Sequence, residues 1–373
     1  MNVTTVSFSD EQEQFREILQ KFLSTQAPTT EVRRIMASDS GHASELWRRL
    51  CDELALPGLH LPEACGGSGF GAVEMGIAME ELGRALTPCA FFASSVMAAI
   101  ALREAASDDQ QQSLLPDIIS GQRIATLAIC DPKGRWSADT MTVTHTSDAA
   151  LLNGTASYVI DGMIADDIIV AARDSVTTEL GFYHVTTESS GIERHALKSL
   201  DDTRRMARLH FSDNPAAVLT TRDGEAVRDR IFDQVCVALA CEMVGGAQAV
   251  LDSAVEYAKL RVQFGRTIGS FQAIKHKCAE MLLEVESARS AAYVAARAVA
   301  AEDPQLRAYA SLALAAASEA FVNTATQCIQ IHGGIGFTWE NDTHLWFKRA
   351  KVSEQLLGDS TFHKERMLQA WGI

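Results

Sequence analysis

Polar and apolar positions along this chain of 373 residues change their period twice. From Ser9 to about residue 120 the period is helical. The run "SDEQEQFREILQKFL" offers Ser9 or Asp10 as an N-cap and places acids in the first turn. Phe15, Ile18, Leu19 and Phe22 follow at i, i+3, i+4 and i+7, which predicts an amphipathic helix. "ASELWRRLCDELAL", "AVEMGIAMEELGRAL" and "ASSVMAAIALREAA" repeat the pattern. Between the first two of these lies "LPEACGGSGFG", whose Gly66, Gly67, Gly69 and Gly71 predict a tight loop.

In the middle zone the apolar runs shorten and become β-branched. "RIATLAICD", "TMTVTHTS", "AALLNGTASYVI", "DDIIVAARDS", "GFYHVTT", "MARLHFSD" and "AVLTT" are separated by turn residues. They predict an antiparallel sandwich or barrel. Beyond it the helical period returns in three long segments. The first is "AVRDRIFDQVCVALACEMVGGAQAVLDSAVEYAKLRVQFG", the second "SFQAIKHKCAEMLLEVESARSAAYVAARAVAAE" and the third "QLRAYASLALAAASEAFVNTATQCIQIHG". The pattern predicts an α+β protein with three domains: helical over 1–120, β over 121–225 and a helical bundle over 226–373. No internal repeat or low-complexity tail interrupts it.

Composition narrows the function classes. Hydrophobic residues are 47% and charged residues 22%, as in an ordinary globular protein. A net charge of −15 argues against nucleic acid or an anionic membrane as the main partner. Any anionic ligand must then be held by a local cluster of positive groups. The eight cysteines are scattered without a CxxC pair or His companions at ligand spacing. The expectation is a reduced, cytoplasmic chain with no metal site. The N-terminus shows no signal-peptide pattern, and no apolar run approaches the roughly 20 residues of a membrane span.

One stretch asks for a chemical reading. "RVQFGRTIGSFQAIKHKCAEM" sets Arg261, Phe264, Phe271 and Gln272 just ahead of an apolar helix, and "QIHGG" later offers Gln330, Gly333 and Gly334. Read singly, these are a solvated charge, a helix start and a turn. Together, a planar guanidinium, two rings and glycines that permit close backbone approach suit a flat, anionic ligand.

"YAKLRVQFGRTIGSFQAIKHKCAEM" and "CIQIHGGIGFTWENDTHLWFKRAKV" resemble the two C-terminal signatures of acyl-CoA dehydrogenases, and "LPEACGGSGFG" with "MEELGR" resembles that family's N-terminal domain. The resemblance implies a helical domain, a β domain and a C-terminal four-helix bundle. It also implies FAD bound across a subunit interface. Arg261, Phe264, Phe271 and Gln272 would hold one part of the dinucleotide, and the Gln330–Gly334 loop a neighbouring subunit's adenine end. Phe232 and Asp233 match positions that contact substrate in relatives, and an Arg three residues after that Asp is Cys236 here. By the same resemblance the reaction removes an α-proton from an acyl thioester while the β-hydrogen leaves as hydride to the flavin.

The chain departs from the family pattern in two places. The carboxylate base that follows the "AK" stretch in many relatives is Leu357 here, and its alternative position in others is Val235. Glu242, seven residues on and roughly 10 Å further along the same helix face, is the remaining candidate base. It lies between Cys241 and Met243 in an otherwise uncharged stretch, and the competing reading is a scaffold carboxylate met by a buried Arg or a helix terminus. Asp359 and Glu354 are lesser candidates. In the β domain, Cys130 replaces a Thr of the flavin-binding turn, while Tyr158 and Ile160 replace a Trp and a Thr. That pattern resembles bacterial α2β2 heterotetramers acting on steroid side-chain acyl-CoAs, whose unlike subunits share the flavin and base residues.

Three functions follow as expectations. The first is an FAD-dependent acyl-CoA dehydrogenase, a homotetramer or α2β2 heterotetramer, passing electrons to an electron-transferring flavoprotein. The second is a non-catalytic partner subunit of such an enzyme. The third is a flavin oxidase or monooxygenase on the same fold.

Overall fold

In the computed structural model, which describes residues 7–147, 149–219 and 223–373, Ser9 caps α1 (Asp10–Gln26). Its hydroxyl accepts from Gln12 N, and the Gln12 side chain returns a bond to Ser9 N, satisfying two donors that a helix start leaves open. The helical zone continues through α2 (Thr29–Met36), α3 (Ser44–Leu54), α4 (Ala72–Arg84), α5 (Ala99–Ala105) and α6 (Asp108–Ile119). A π-helical stretch, Phe91–Ala98, runs directly into α5. After the strands come α7 (Gly224–Leu260), α8 (Gln272–Ala300), α9 (Leu306–His332), α10 (Thr343–Leu356) and α11 (Ser360–Ala370).

By their contacts the residues form two compact units. The helical unit comprises the chain up to Arg34, Ala72–Thr87 and Cys236–Ile373. Within it α9 packs on α8, α10 and α11. Two backbone approaches fix α4 against α7. A Cβ on Gly83 would stand 2.2 Å from Glu242 O, and one on Gly245 would stand 1.8 Å from Glu80 O, so only glycine permits the crossing. Beside it the buried Glu80 gathers Arg16 Nη1 at 2.9 Å, Arg289 Nε at 3.1 Å and Tyr293 Oη at 2.5 Å. Paired cations and a phenol are what let a carboxylate stay buried. α7 is long and apolar enough to cross a membrane by composition, but most of that stretch is buried inside the protein. Its hydropathy is that of a core helix.

The second unit comprises Ile35–Gly71 and Pro88–Val235. Its strands are β1 (Ala125–Ala128), β2 (Met141–His145), β3 (Ala150–Ile160), β4 (Asp167–Asp174), β5 (Leu180–Thr186), β6 (Ile192–Leu197) and β7 (Met206–Val218). Pairing runs β4–β2–β3–β7–β5 and back to β4, which closes a barrel, with β1 added on β4 and β6 on β7. Val143, Leu152, Val170, Val185, Leu209 and Phe211 fill its interior. The expectation of a purely antiparallel sheet is corrected, because β1 and β2 both run parallel to β4 along one edge. "MARLHFSD" and "AVLTT" also prove to be one strand up to Val218, with Asp213 in the left-handed region (φ 45) accommodating a bulge that breaks the alternation. The sequence does not announce β6, because Glu193 and His195 are exposed and its one residue packed against the barrel core, Ile192, makes no apolar alternation.

Candidate functional site

α7 ends at Leu260 and the chain folds back as a minimal hairpin, β8 (Val262–Gln263) paired with β9 (Arg266–Thr267). Two residues make the turn, Phe264 (φ 54) and Gly265 (φ 76). Both are left-handed, as a two-residue hairpin of right-twisted strands demands. Glycine adopts this freely, whereas phenylalanine does so at a cost of about 1–3 kcal/mol. Phe264 is moreover 92% exposed, so neither packing nor propensity in this chain explains it. Arg261 N donates to Tyr257 O at 2.8 Å and Ile268 N to Arg261 O at 2.8 Å, which anchors the hairpin on the helix end.

The side chains expected to act together are near one another in part. Phe264 and Phe271 meet edge to face with centroids 6.1 Å apart. The guanidinium over Phe271, at 4.0 Å, belongs to Arg266, which sequence reading did not single out. Arg261 and Gln272, the first residue of α8, are exposed. At the end of α9, Gln330, Gly333 and Gly334 are exposed as well. Gly333 has φ 66, and a Cβ on Gly333 or Gly334 would meet nothing within 4 Å. Gly334 is therefore required neither for its own backbone nor for packing within the chain.

Tyr257 stacks on His332 with centroids 4.2 Å apart. Since Tyr257 precedes Arg261 by one helical turn and His332 directly precedes Gly333, the stack holds both groups at one end of the helical unit. The following turn adds exposed Phe337 and Trp339, the latter stacked on His344 at 4.8 Å with Lys348 Nζ 4.9 Å above its ring. The signal that could have found them was their place in a glycine-rich turn, where no core requires large rings.

Glu242 is buried, and Arg349 Nη1 of α10 donates to its Oε1 at 2.9 Å with both side chains out of solvent. The structure therefore gives this carboxylate a buried cation, the competing reading stated above. Leu357 and Val235 are buried apolar residues. Asp359 caps α11 by accepting from Phe362 N at 2.8 Å, and Glu354 is bonded to Lys351.

In the barrel-bearing unit Phe232 and Asp233 are buried on the first turns of α7, with Phe232 against Trp136 at 5.3 Å. The "CDPKGRWSAD" turn is organised by Asp131, which accepts from Lys133 N at 2.8 Å and Arg135 N at 3.0 Å and pairs with the Arg135 side chain. Burial pushes the Cys130 thiol up to about 12 and leaves it a weak donor, although Cys130 O accepts from Ser157 N at 2.9 Å. Tyr158, left-handed at φ 55 and 39% exposed, is the phenol nearest this turn. The donor chemistry fits a flavin dinucleotide on the helical unit, with a guanidinium for a pyrophosphate and unpacked rings and glycines for flat groups. On the barrel it offers backbone groups and a phenol.

Comparison with known proteins agrees with this arrangement. The profile of the acyl-CoA dehydrogenase N-terminal domain matches residues 9–122, and that of the acyl-CoA dehydrogenase C-terminal domain matches residues 223–371. Acyl-CoA dehydrogenase IpdE2 of Mycobacterium tuberculosis is 36% identical over 348 residues, 93% of this chain and 93% of that protein. Among solved structures, a variant of the Tcur3481-Tcur3483 steroid ACAD superposes with a TM-score of 0.89 at 27% identity, covering 97% of this chain and 98% of that one. The ChsE4-ChsE5 complex of Mycobacterium tuberculosis gives 0.91 at 25% identity, covering 99% of each chain.

Proposed function

The chain belongs to the acyl-CoA dehydrogenase family, and from that premise we propose that it is one subunit of a heteromeric, FAD-dependent enzyme that desaturates an acyl-CoA between Cα and Cβ. The observation that carries this reading is the hairpin turn: a strained, 92% exposed Phe264 beside Arg261 and the open Gly333–Gly334 backbone. An apolar ring held outward at a conformational cost is best explained by something that covers it in the assembled protein. FAD, when bound, supplies the hydride acceptor, and electrons would leave to an electron-transferring flavoprotein. Arg261 would neutralise the pyrophosphate, Phe264 and Phe271 would cover flat apolar surface, and Gln272 and Gln330 would donate and accept at its edges. Phe232 and Asp233 would face the acyl-CoA, a steroid side-chain or fatty acyl thioester, in a cytoplasmic enzyme.

The heteromer is favoured by the base. Glu242 is engaged by Arg349, and Leu357 and Val235 cannot take a proton. The α-proton would then be removed by a carboxylate of a paralogous chain, and two of the similar structures are named for paired components. Expression alone and together with such a chain tests this. Alone, the protein is expected to purify with little flavin. With its partner it gains flavin, which acyl-CoA bleaches without oxygen. Arg261→Ala abolishes the gain. A yellow homo-oligomer bleached by acyl-CoA would defeat the heteromer, and peroxide released at the turnover rate would make the protein an oxidase.

A further inference from the structure

The turn that leaves α9 has almost no core to hold it. Of residues 333–340 only Gly336 is buried, while Ile335, Phe337 and Trp339 are all exposed. A segment that buries so little apolar surface keeps one position only where polar ties fix it. Two ties close the turn on itself: Thr338 N donates to Ile335 O at 3.0 Å, and Thr343 Oγ1 donates to Gly336 O at 3.1 Å. Neither sets where the turn stands against the rest of the helical unit.

A tie from elsewhere in that unit comes from Arg33 on α2, a residue that precedes Asp342 by 309 positions. Its Nε donates to Asp342 Oδ1 at 2.7 Å, and its Nη2 donates to Trp339 O at 3.0 Å and to Asn341 O at 3.2 Å. Its Cζ stands 5.6 Å from the Trp339 ring centre. One planar fork therefore grips three residues of the turn at once, a geometry that the point charge of a lysine does not reproduce. Nη2 also lies 3.4 Å from His344 Nε2. Burial, helped by the Lys348 and Arg33 charges, holds the His344 imidazole below its usual range, so no second cation forms beside the fork at neutral pH.

The Arg33 and Asp342 side chains remain 24% and 36% exposed, and an ion pair that open adds little to stability. What the grip supplies is position. The turn begins with Gly333 and Gly334, the open backbone read above as meeting a dinucleotide's adenine end, and such groups bind well only when held to within about half an ångström. Resting on the flavin reading, we propose that Arg33 is a positioning residue for the cofactor. By gripping Trp339, Asn341 and Asp342 it sets the Gly333–Gly334 backbone against the adenylate half of FAD.

The assembled protein, freed of flavin and titrated separately with FAD and with FMN, tests this, because FMN lacks the adenylate half. In Arg33→Met, FAD is expected to bind about tenfold more weakly or worse, while FMN binds as it does in the parent. Arg33→Lys restores little of the loss, since an ammonium cannot span three acceptors in one plane. Asp342→Asn gives a smaller loss of the same kind and adds little on top of Arg33→Met, as two members of one contact should. The flavin-free Arg33→Met protein melts near the parent temperature and still assembles. A lower melting temperature with an unchanged FAD-to-FMN ratio, or equal weakening of both flavins, makes Arg33 a fold residue and overturns the proposal. Undiminished FAD binding in Arg33→Met overturns it as well, leaving the flavin reading intact. Failure of the parent to bind either flavin overturns both.

Discussion

At the residue scale, Glu242 shows how a side chain that satisfies a sequence argument can meet a partner that the sequence does not announce. Its apolar flanks and helical position were legible, but its partner, more than a hundred residues away, was not. Breaking a buried pair leaves a cation in a low-dielectric interior, so Glu242→Gln is expected to cost about 3 kcal/mol in denaturant unfolding. Replacing both partners, Glu242→Met with Arg349→Met, should recover part of that loss, because the charge that Glu242 meets is removed with it. A Glu242→Gln protein of unaltered stability whose flavin reduction has fallen by two or more orders of magnitude would return the base to Glu242.

At the element scale, the α4–α7 crossing and the β8–β9 hairpin make opposite demands on small residues. Gly245 is required by the crossing, and Gly245→Ala is expected to lower stability by about 3 kcal/mol, since its Cβ meets the rigid backbone of Glu80 rather than a side chain that can move. In the hairpin, Phe264 occupies a position that Asn fills more readily. Phe264→Asn is therefore expected to raise the melting temperature of the isolated chain by relieving strain, and to lower flavin retention in the assembled protein. A fall in both would make Phe264 a fold residue. Helix positions and most strands were legible because their periods answer to local burial. β6 and the parallel pairings were not, because an edge strand with charged outward positions carries no period that a core enforces.

At the scale of the whole molecule, three of the buried histidines set an acid limit. Burial is the main cause holding His42, His60 and His363 at about 4 in the folded protein, against roughly 6.5 unfolded. As pH falls below 6.5 the unfolded chain binds these protons first. The stability present at neutral pH is therefore lost between 6.5 and 4. Each histidine contributes a loss of about 2 kcal/mol by pH 5. Calorimetry at pH 7 and pH 5 should show the melting temperature dropping, and His363→Gln should flatten the profile. A flat profile in the parent protein would mean that these side chains are charged in the fold.

The chain by itself determined the succession of helices, strands and helices, a cap at Ser9 or Asp10 and the family signature around Arg261 and Gly333. All are written in local period or in short runs whose chemistry does not depend on distant neighbours. Tertiary structure decided the rest: the barrel closure through β4 and β5, the Tyr257–His332 stack that joins two parts of the signature, and the cation that meets Glu242. Each of these is a pairing between residues far apart in sequence. Which charges meet in a desolvated interior is fixed only when packing brings their helices together.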